Sequence, residues 1–323
     1  MSALLVVRPS SLGDVVHALA LVADVVRARP GIAIDWVAEP AFAELPALCP
    51  QIRNVVPFAL RRWRHAPLDR NTWREVAGFR HAIRATRYDV ILDLQEQVKG
   101  GVIARTARGV RHGFDRASIR EKTATWFDDV HHRIPRDAHF AARCRMLAAA
   151  AFGYALDGPP RWNLAPPDTV EGLPPGRYAV VLHSTSRVGK LWPEERWRAL
   201  VGGFAQAGLV TMLPWGNDAE RERSERLALG IDRTIVPARR SLAELAALLA
   251  KSDLAVGVDT GLTHLAAALG TPTLALFTET DPAGAGVALA GPHARDLGGR
   301  GAVPTLDEAQ AATGALVRAA PRC

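Results

Sequence analysis

Cysteine, lysine and long apolar runs are all scarce in this chain of 323 residues. The three cysteines, Cys49, Cys144 and Cys323, are far apart, odd in number and without metal-ligand spacing. That excludes a disulfide framework and a zinc site, and all three are read as free thiols. No apolar stretch reaches the roughly 18 residues that a membrane-spanning helix needs. The opening Met-Ser-Ala-Leu-Leu-Val-Val-Arg lacks the basic-then-apolar layout of a secretion signal, so a cytoplasmic location is expected. Aromatic residues make up 6% of the chain, with no aromatic RNA-binding pattern or finger spacing, which argues against a nucleic-acid partner. Only four lysines occur (Lys99, Lys122, Lys190, Lys251), so any one in a loop at a strand end draws attention.

What is present is a soluble, globular balance of 48% hydrophobic and 23% charged residues, in a length that suits two domains. The net charge of +7 is unevenly placed, because residues 1–160 hold 23 basic and 16 acidic side chains whereas residues 161–323 hold 17 of each. The excess is densest over residues 51–120, with 15 basic and 6 acidic side chains, so one region should project a positive field toward an anionic partner.

Short apolar runs at residues 4–7, 33–37, 55–59, 90–94, 178–182, 209–213, 234–236, 254–258 and 273–277 alternate with helical patterns. That alternation predicts an α/β protein with parallel sheets covered on both faces. A proline-rich stretch at 156–177 reads as a linker between Rossmann-like, doubly wound domains at 1–155 and 178–304. A last periodic stretch, within 305–323, reads as a helix expected to pack back on the first domain. Ligands in such sheets bind outside the C-terminal ends of the strands, so two domains facing across a cleft are expected to form one site.

Residues at those strand ends carry the chemistry. The run Asp253-Leu-Ala-Val-Gly-Val-Asp-Thr-Gly-Leu-Thr-His264 takes a strand into a small-residue turn and opens a helix at Gly261. Free N–H groups of Thr260, Gly261 and Leu262, with the helix dipole behind them, suit a diphosphate. Asp259 would repel that charge, so it is expected to face hydroxyls of the same ligand, which suggests a nucleotide-linked sugar; His264 lies within reach of the diphosphate. In His183-Ser-Thr-Ser-Arg-Val-Gly-Lys190, the hydroxyls of Ser184, Thr185 and Ser186 and the Lys190 ammonium are donors for phosphate oxygens, and Lys190 is the candidate stabiliser of a leaving group. Trp215 and Glu220 are candidates for a base or sugar pocket and for ribose hydroxyls, against the readings of a core tryptophan and a solvated helix face. At the first strand end, Ser10-Ser-Leu-Gly-Asp14 fits a capped helix, while Gly13 permits close approach of a ligand. Asp14, ionised at neutral pH, is the candidate general base. The run Arg61-Arg-Trp-Arg-His65 suits phosphates of a nucleic acid, a membrane or an acceptor, and its pattern does not choose among them.

Taken together, these motifs resemble the bacterial ADP-heptose glycosyltransferases of lipopolysaccharide core synthesis. Also carrying the resemblance are Asp35-Trp-Val-Ala-Glu39, Asp93-Leu-Gln95 with Lys99, Arg120-Glu121, His131-His132, Lys190-Leu-Trp-Pro193, Leu213-Pro-Trp-Gly216 and Thr280-Asp-Pro282. The Arg-Arg-Trp-Arg run and the Asp-Trp-Val segment favour the branch that adds the first heptose. The resemblance implies a glycosyltransferase-B fold and an inverting, metal-independent transfer without a cofactor, from ADP-L-glycero-D-manno-heptose to the Kdo of Kdo-lipid A. It implies a monomer, peripheral at the inner face of the inner membrane. Asp14 then matches the base and Lys190 the contact to donor phosphates. Ser10, Ser11, Gly13, Thr185, Ser186, Trp215, Glu220, Asp259, Thr260, Gly261, Leu262 and His264 join the donor set; Arg61, Arg62, Arg64, Gln95, Lys99 and Arg120 form the acceptor set. Pro9, Glu96 (where the family has glycine) and Val188-Gly189 depart from the pattern. The alternatives are another heptose transferase of the core pathway, a nucleotide-sugar epimerase on this fold and, on charge alone, a nucleic-acid-binding module.

Overall fold

A computed structural model describes residues 2–319, so Cys323 and the end of the expected terminal helix lie outside the described residues. The chain divides into two compact units between Ala165 and Pro166.

The first unit contains strands β1 (Ala3–Val7), β2 (Ala33–Ala38), β3 (Ile52–Pro57), β4 (Arg87–Asp93), β5 (Arg108–Phe114) and β6 (Val130–His132). Its helices are α1 (Leu12–Ala28), α2 (Glu44–Ala47), α3 (Leu60–His65), α4 (Arg70–Ala85), α5 (Val98–Thr106) and α6 (Phe140–Phe152). All strand pairs are parallel, in the order β3-β2-β1-β4-β5-β6. Strand β1 is wholly apolar and wholly buried because a central parallel strand has helices on both faces. On one face Leu5, Val7 and Ile91 pack with Phe58, Trp63 and Phe79, and the Phe58 and Trp63 rings meet edge to face at 5.1 Å. The aromatic inside the Arg61-Arg-Trp-Arg run is therefore the core anchor of α3, and the arginines around it point outward.

The second unit holds β7 (Tyr178–Leu182), β8 (Val210–Met212), β9 (Thr234–Ile235), β10 (Leu254–Val258), β11 (Thr273–Phe277) and β12 (Ala294–Gly298). Between and after them run α7 (Glu194–Gln206), α8 (Asp218–Ala228), α9 (Leu242–Ala250), α10 (Gly261–Ala268) and α11 (Leu306–Ala319). This sheet is also parallel, in the order β12-β11-β10-β7-β8-β9. The terminal helix, expected to pack back on the first domain, contributes to the core of the second unit. Ala309, Ala312 and Leu316 of α11 belong to the second unit's own core, with Trp197, Leu200, Val256 and Leu274. An amphipathic helix buries its apolar stripe on the nearest uncovered apolar surface, and here that is its own sheet.

In each order the strand sequence reverses once, between β1 and β4 and between β10 and β7. At such a reversal the loops leaving two neighbouring strands turn to opposite faces and open a crevice at their C-terminal ends. The first reversal collects the loops after β1 and β4, and the second those after β7 and β10.

Candidate functional site

In the first unit, the loop after β1 leads into α1, and Asp14 in its first turn reaches back to the chain before it. Its Oδ2 accepts from the Ser11 amide at 3.0 Å, the Ser11 hydroxyl at 2.8 Å and Arg8 Nη2 at 2.6 Å. All of these bonds fall on one oxygen, so Oδ1 is left to accept from another molecule, and the side chain is 37% exposed. Burial pushes the carboxyl's pKa up, but Arg8 and the two Ser11 bonds outweigh it and hold Asp14 below the ordinary aspartate value. Asp14 is thus both a helix-capping group, as the capped-helix reading had it, and an ionised carboxylate with a free face. The capping bonds leave the other carboxylate oxygen open.

Arg8, absent from the sequence-derived set, ties this loop to the next one. Its Nη1 donates to the Leu94 carbonyl after β4, and its guanidinium lies 4.7 Å over the Phe140 ring. From the first turn of α5, which follows that loop, Lys99 Nζ donates to Ser10 Oγ at 2.8 Å. Burial lowers the Lys99 pKa, partly opposed by Glu39 and Asp14, and Arg61 adds to the lowering, so these groups share one electrostatic neighbourhood. Arg61 is itself paired to Glu39 at 3.0 Å. Gln95 is buried, its Nε2 donating to Gln97 Oε1 and its Oε1 without a partner. The structure therefore gathers Ser10, Ser11, Gly13, Asp14, Gln95, Lys99 and Arg61. It does not gather all of the acceptor set: Arg62 is paired to Glu75 of α4, and Arg64 and Arg120 stand exposed outside this network.

In the second unit Asp259 is the hub. Its Oδ2 accepts from Lys190 Nζ and from Thr280 Oγ1 at 2.6 Å, and its Oδ1 lies 3.2 Å from His264 Nε2. Both oxygens are engaged by protein, where the sequence reading expected ligand hydroxyls. Burial opposes the charge, but His264, Lys190 and Thr280 together hold the Asp259 pKa far below the ordinary range. Thr185 Oγ1 sits 3.5 Å from the Asp259 carbonyl, and Ser186 is exposed. The first amides of α10, from Gly261 and Leu262, have no acceptor within the helix by construction, and the N-cap Thr260 supplies no side-chain cap. Close packing brings them there: a Cβ on Gly257 of β10 would come within 2.1 Å of Thr263 Oγ1 and 2.8 Å of Leu182 Cβ, so only glycine lets α10 and β7 pack this closely against β10.

Thr280 and Thr278, at the end of β11, are the groups the site assignment missed. Thr278 Oγ1 donates to the Gly189 carbonyl at 2.8 Å, which positions the turn that carries Lys190. The Thr280-Asp-Pro282 motif is the signal for Thr280. Trp215 and Glu220 are further along, after β8. The Trp215 indole donates to the Pro237 carbonyl at 2.8 Å, while the Glu220 carboxylate accepts from the Gly216 amide and from Asn217 Nδ2, closing the start of α8. Nearby, burial pushes the His183 pKa down to about 3, so its ring is neutral between Ser184 and Ser224.

Among the described residues no group of three or more His, Cys, Asp or Glu is placed to hold a metal ion. No helix among them is long and apolar enough to cross a membrane.

A profile described as "Glycosyltransferase family 9 (heptosyltransferase)" matches residues 76–302. The chain belongs to that family. It is 40% identical over 281 residues to "Lipopolysaccharide heptosyltransferase 1" of Escherichia coli K12, covering 86% of this chain and 88% of that one. Two solved structures are similar throughout. One is "E. coli heptosyltransferase WaaC with ADP", with a TM-score of 0.86 and 37% identity over 98% of each chain. The other is the same enzyme "with ADP-2-deoxy-2-fluoro heptose", with a TM-score of 0.84 and 36% identity over 96% of this chain and 98% of that one. The two parallel six-stranded sheets are those of the glycosyltransferase-B fold, and this family-9 chain is a heptosyltransferase of lipopolysaccharide biosynthesis.

Proposed function

We propose that the chain transfers L-glycero-D-manno-heptose from ADP-heptose to the Kdo of Kdo-lipid A, with inversion at the anomeric carbon and without a metal. The observation that carries this reading is Asp14: an ionised carboxylate at a strand-order reversal, with one oxygen fully used and the other open. A base of low pKa does not deprotonate a resting sugar hydroxyl. It takes the proton as the new C–O bond forms and the hydroxyl's acidity rises. In the proposed reaction a Kdo hydroxyl loses its proton to Asp14 Oδ1, attacks the anomeric carbon of the heptose and displaces ADP; this single displacement inverts the configuration.

Negative charge builds on the departing diphosphate. The Lys190 ammonium has three N–H donors and spends one on Asp259, so two remain for phosphate oxygens. Since Lys190 also neutralises Asp259, attraction for the diphosphate rests on those donors, the first amides of α10 and the helix dipole. The solved relative with bound ADP supports this donor assignment.

The acceptor is anionic and sits in a membrane. Arg61, Arg62 and Arg64 of α3 are exposed, as are Arg70 and Arg74 of α4, and Leu68 and Trp73 stand 94% and 62% exposed among them. Such a surface suits peripheral association with anionic lipid, which weakens as salt screens it. Flotation with anionic vesicles should therefore fall steeply between low and physiological salt, and salt-independent flotation would count against the association.

The decisive experiment mixes the purified protein with ADP-heptose and Kdo-lipid A, then determines product mass and anomeric configuration. A single added heptose of inverted configuration is expected. No product with this acceptor, together with transfer to an acceptor that already bears heptose, would assign the chain to a later step of the same pathway.

A further inference from the structure

The loop joining β4 to α5, residues 94–97, is held from three other places in the first unit. Glu96 adopts φ +59°, a left-handed conformation that side chains other than glycine, asparagine and aspartate rarely take. What keeps it there is a buried, two-pronged ion pair, with Arg143 Nη1 and Nη2 donating to its carboxylate oxygens at 2.8 and 3.1 Å. Both side chains are only 9% exposed. Arg143 Nη2 also donates to the Ser118 carbonyl at 2.8 Å, and the guanidinium lies 4.8 Å over the Phe114 ring, so α6 presents it in one orientation.

The rest of the loop is tied just as firmly. The Glu96 carbonyl accepts from the Glu121 amide at 3.1 Å. The Glu121 carboxylate reaches Val98 N and Gln97 Nε2, both at 2.9 Å, and so caps α5 where Gln97 itself provides no cap. Arg8, partner of Asp14, holds the Leu94 carbonyl. On the first turn of α5, Lys99 reaches Ser10.

We infer that Glu96 and Arg143 are positioning residues for the acceptor half of the reaction: their buried pair fixes the 94–97 loop in its left-handed turn, so that Gln95 and Lys99 stand in one place beside Ser10 and Asp14. Neither touches the base or the open side of Asp14; both act through the loop. This rests on the proposed function, because Gln95 and Lys99 matter to the acceptor only if the acceptor binds there. A glycine at position 96 would adopt the same turn without strain, but would leave the loop untethered to α6.

The test separates tethering from general stability. In Glu96→Gly with Arg143→Met, no buried charge is stranded and the backbone is eased, so thermal unfolding serves as the control for folding. With ADP-heptose and soluble, de-acylated Kdo-lipid A, the expected result is an acceptor KM raised about tenfold, with the donor KM within about twofold of the parent. In a background carrying both Gln95→Ala and Lys99→Ala the same pair of changes should add less than about twofold, since the loop would have little left to position. Arg143→Lys, which keeps the charge and loses the fork, should fall between. Acceptor and donor KM rising together, an unchanged acceptor KM, or a full effect in the Gln95→Ala, Lys99→Ala background would each overturn the inference. Should the double variant not fold, Glu96→Gln keeps the shape and removes the charge. Faster hydrogen exchange at amides 94–99 is then expected, and unchanged exchange there overturns the inference. If the parent protein itself transfers nothing to this acceptor, it is the proposed function that fails, and the exchange measurement still judges the tether.

Discussion

Asp14 and Asp259 each follow one of the two strands that flank the reversal of sheet order in their unit, Asp14 on the first turn of the helix after β1 and Asp259 directly after β10, and each has its pKa lowered. Their surroundings engage them differently. Around Asp14 every bond falls on Oδ2, from the chain's own turn and from Arg8, and Oδ1 stays open. Around Asp259 both oxygens are taken, by Lys190 and Thr280 on one and His264 on the other. One carboxylate can receive a proton from outside; the other is an anion whose use is to hold a lysine, a threonine and a histidine in one cluster. Two copies of one topology thus each bring an aspartate to the reversal, after the first strand in one unit and after the fourth in the other, and the count of donors on each oxygen decides which carboxylate stays open to a proton from outside.

The sharpest way to break this comparison is to remove the base while keeping its shape. Asp14→Asn preserves an acceptor for Ser11 and abolishes the basic oxygen. Turnover should fall by about 10³-fold, with ADP-heptose affinity by calorimetry nearly unchanged. Near-normal turnover would remove Asp14 from the proposed role. Because Arg8 opposes the effect of burial, replacing Arg8 with methionine should raise the Asp14 pKa and move the acid limb of the pH–rate profile to higher pH. An acid limb that does not move would mean that Arg8 does not tune the base.

On the other side the effects should be smaller and divided between affinity and rate. Lys190→Ala takes a cation from both Asp259 and the leaving diphosphate; about a 10²-fold loss of kcat/KM is expected, shared by weaker donor binding and slower transfer. Asp259→Asn leaves Lys190 without its anchor and should cost about tenfold in donor affinity with little change in the acceptor KM. If Asp259→Asn instead abolished turnover as completely as Asp14→Asn, the proposed contrast between the two carboxylates would collapse.

Much of this was legible in the sequence, and the failures have a common physical origin. Inner strands such as β1, β7 and β10 are apolar throughout because both faces are covered, so periodicity marks them well. β5, β6 and β12 were not recognised: Arg-Gly-Val-Arg-His-Gly-Phe, Val-His-His and Ala-Arg-Asp-Leu-Gly lie at or next to sheet margins, where charged side chains still reach water. β3, another margin strand, begins at Ile52, ahead of the apolar run 55–59 that pointed to it. The turn around Asp259 and the capped start of α1 could be read because glycine, serine and aspartate have few other uses at such junctions. Arg8, Glu96, Arg143 and Thr278 could not be read, since each acts through partners brought near only by the fold: Glu96 and Arg143 are 47 residues apart, and Thr278 and Gly189 are 89 apart.

The smallest effect concerns stability, and it too separates the units. Beneath the loop after β4 the first unit buries Asp93 and Asp128, whose carboxylates retain unpartnered oxygens. Burial, and for Asp93 the nearby Asp128, raises both pKa values; that of Asp128 rises to about 7, with Arg111 opposing and Asp129 adding to the rise. Among the described residues of the second unit, Asp259 is shifted the other way. A carboxyl whose pKa is higher in the folded than in the unfolded chain favours folding when protonated. Its contribution is therefore complete below the unfolded value of about 4 and is lost as pH rises toward 7. Asp128→Asn should consequently raise the unfolding temperature by about 5 °C at pH 8 and change it little at pH 4. The reverse pattern, with the variant weaker at pH 8, would show that the ionised Asp128 carboxylate is stabilising.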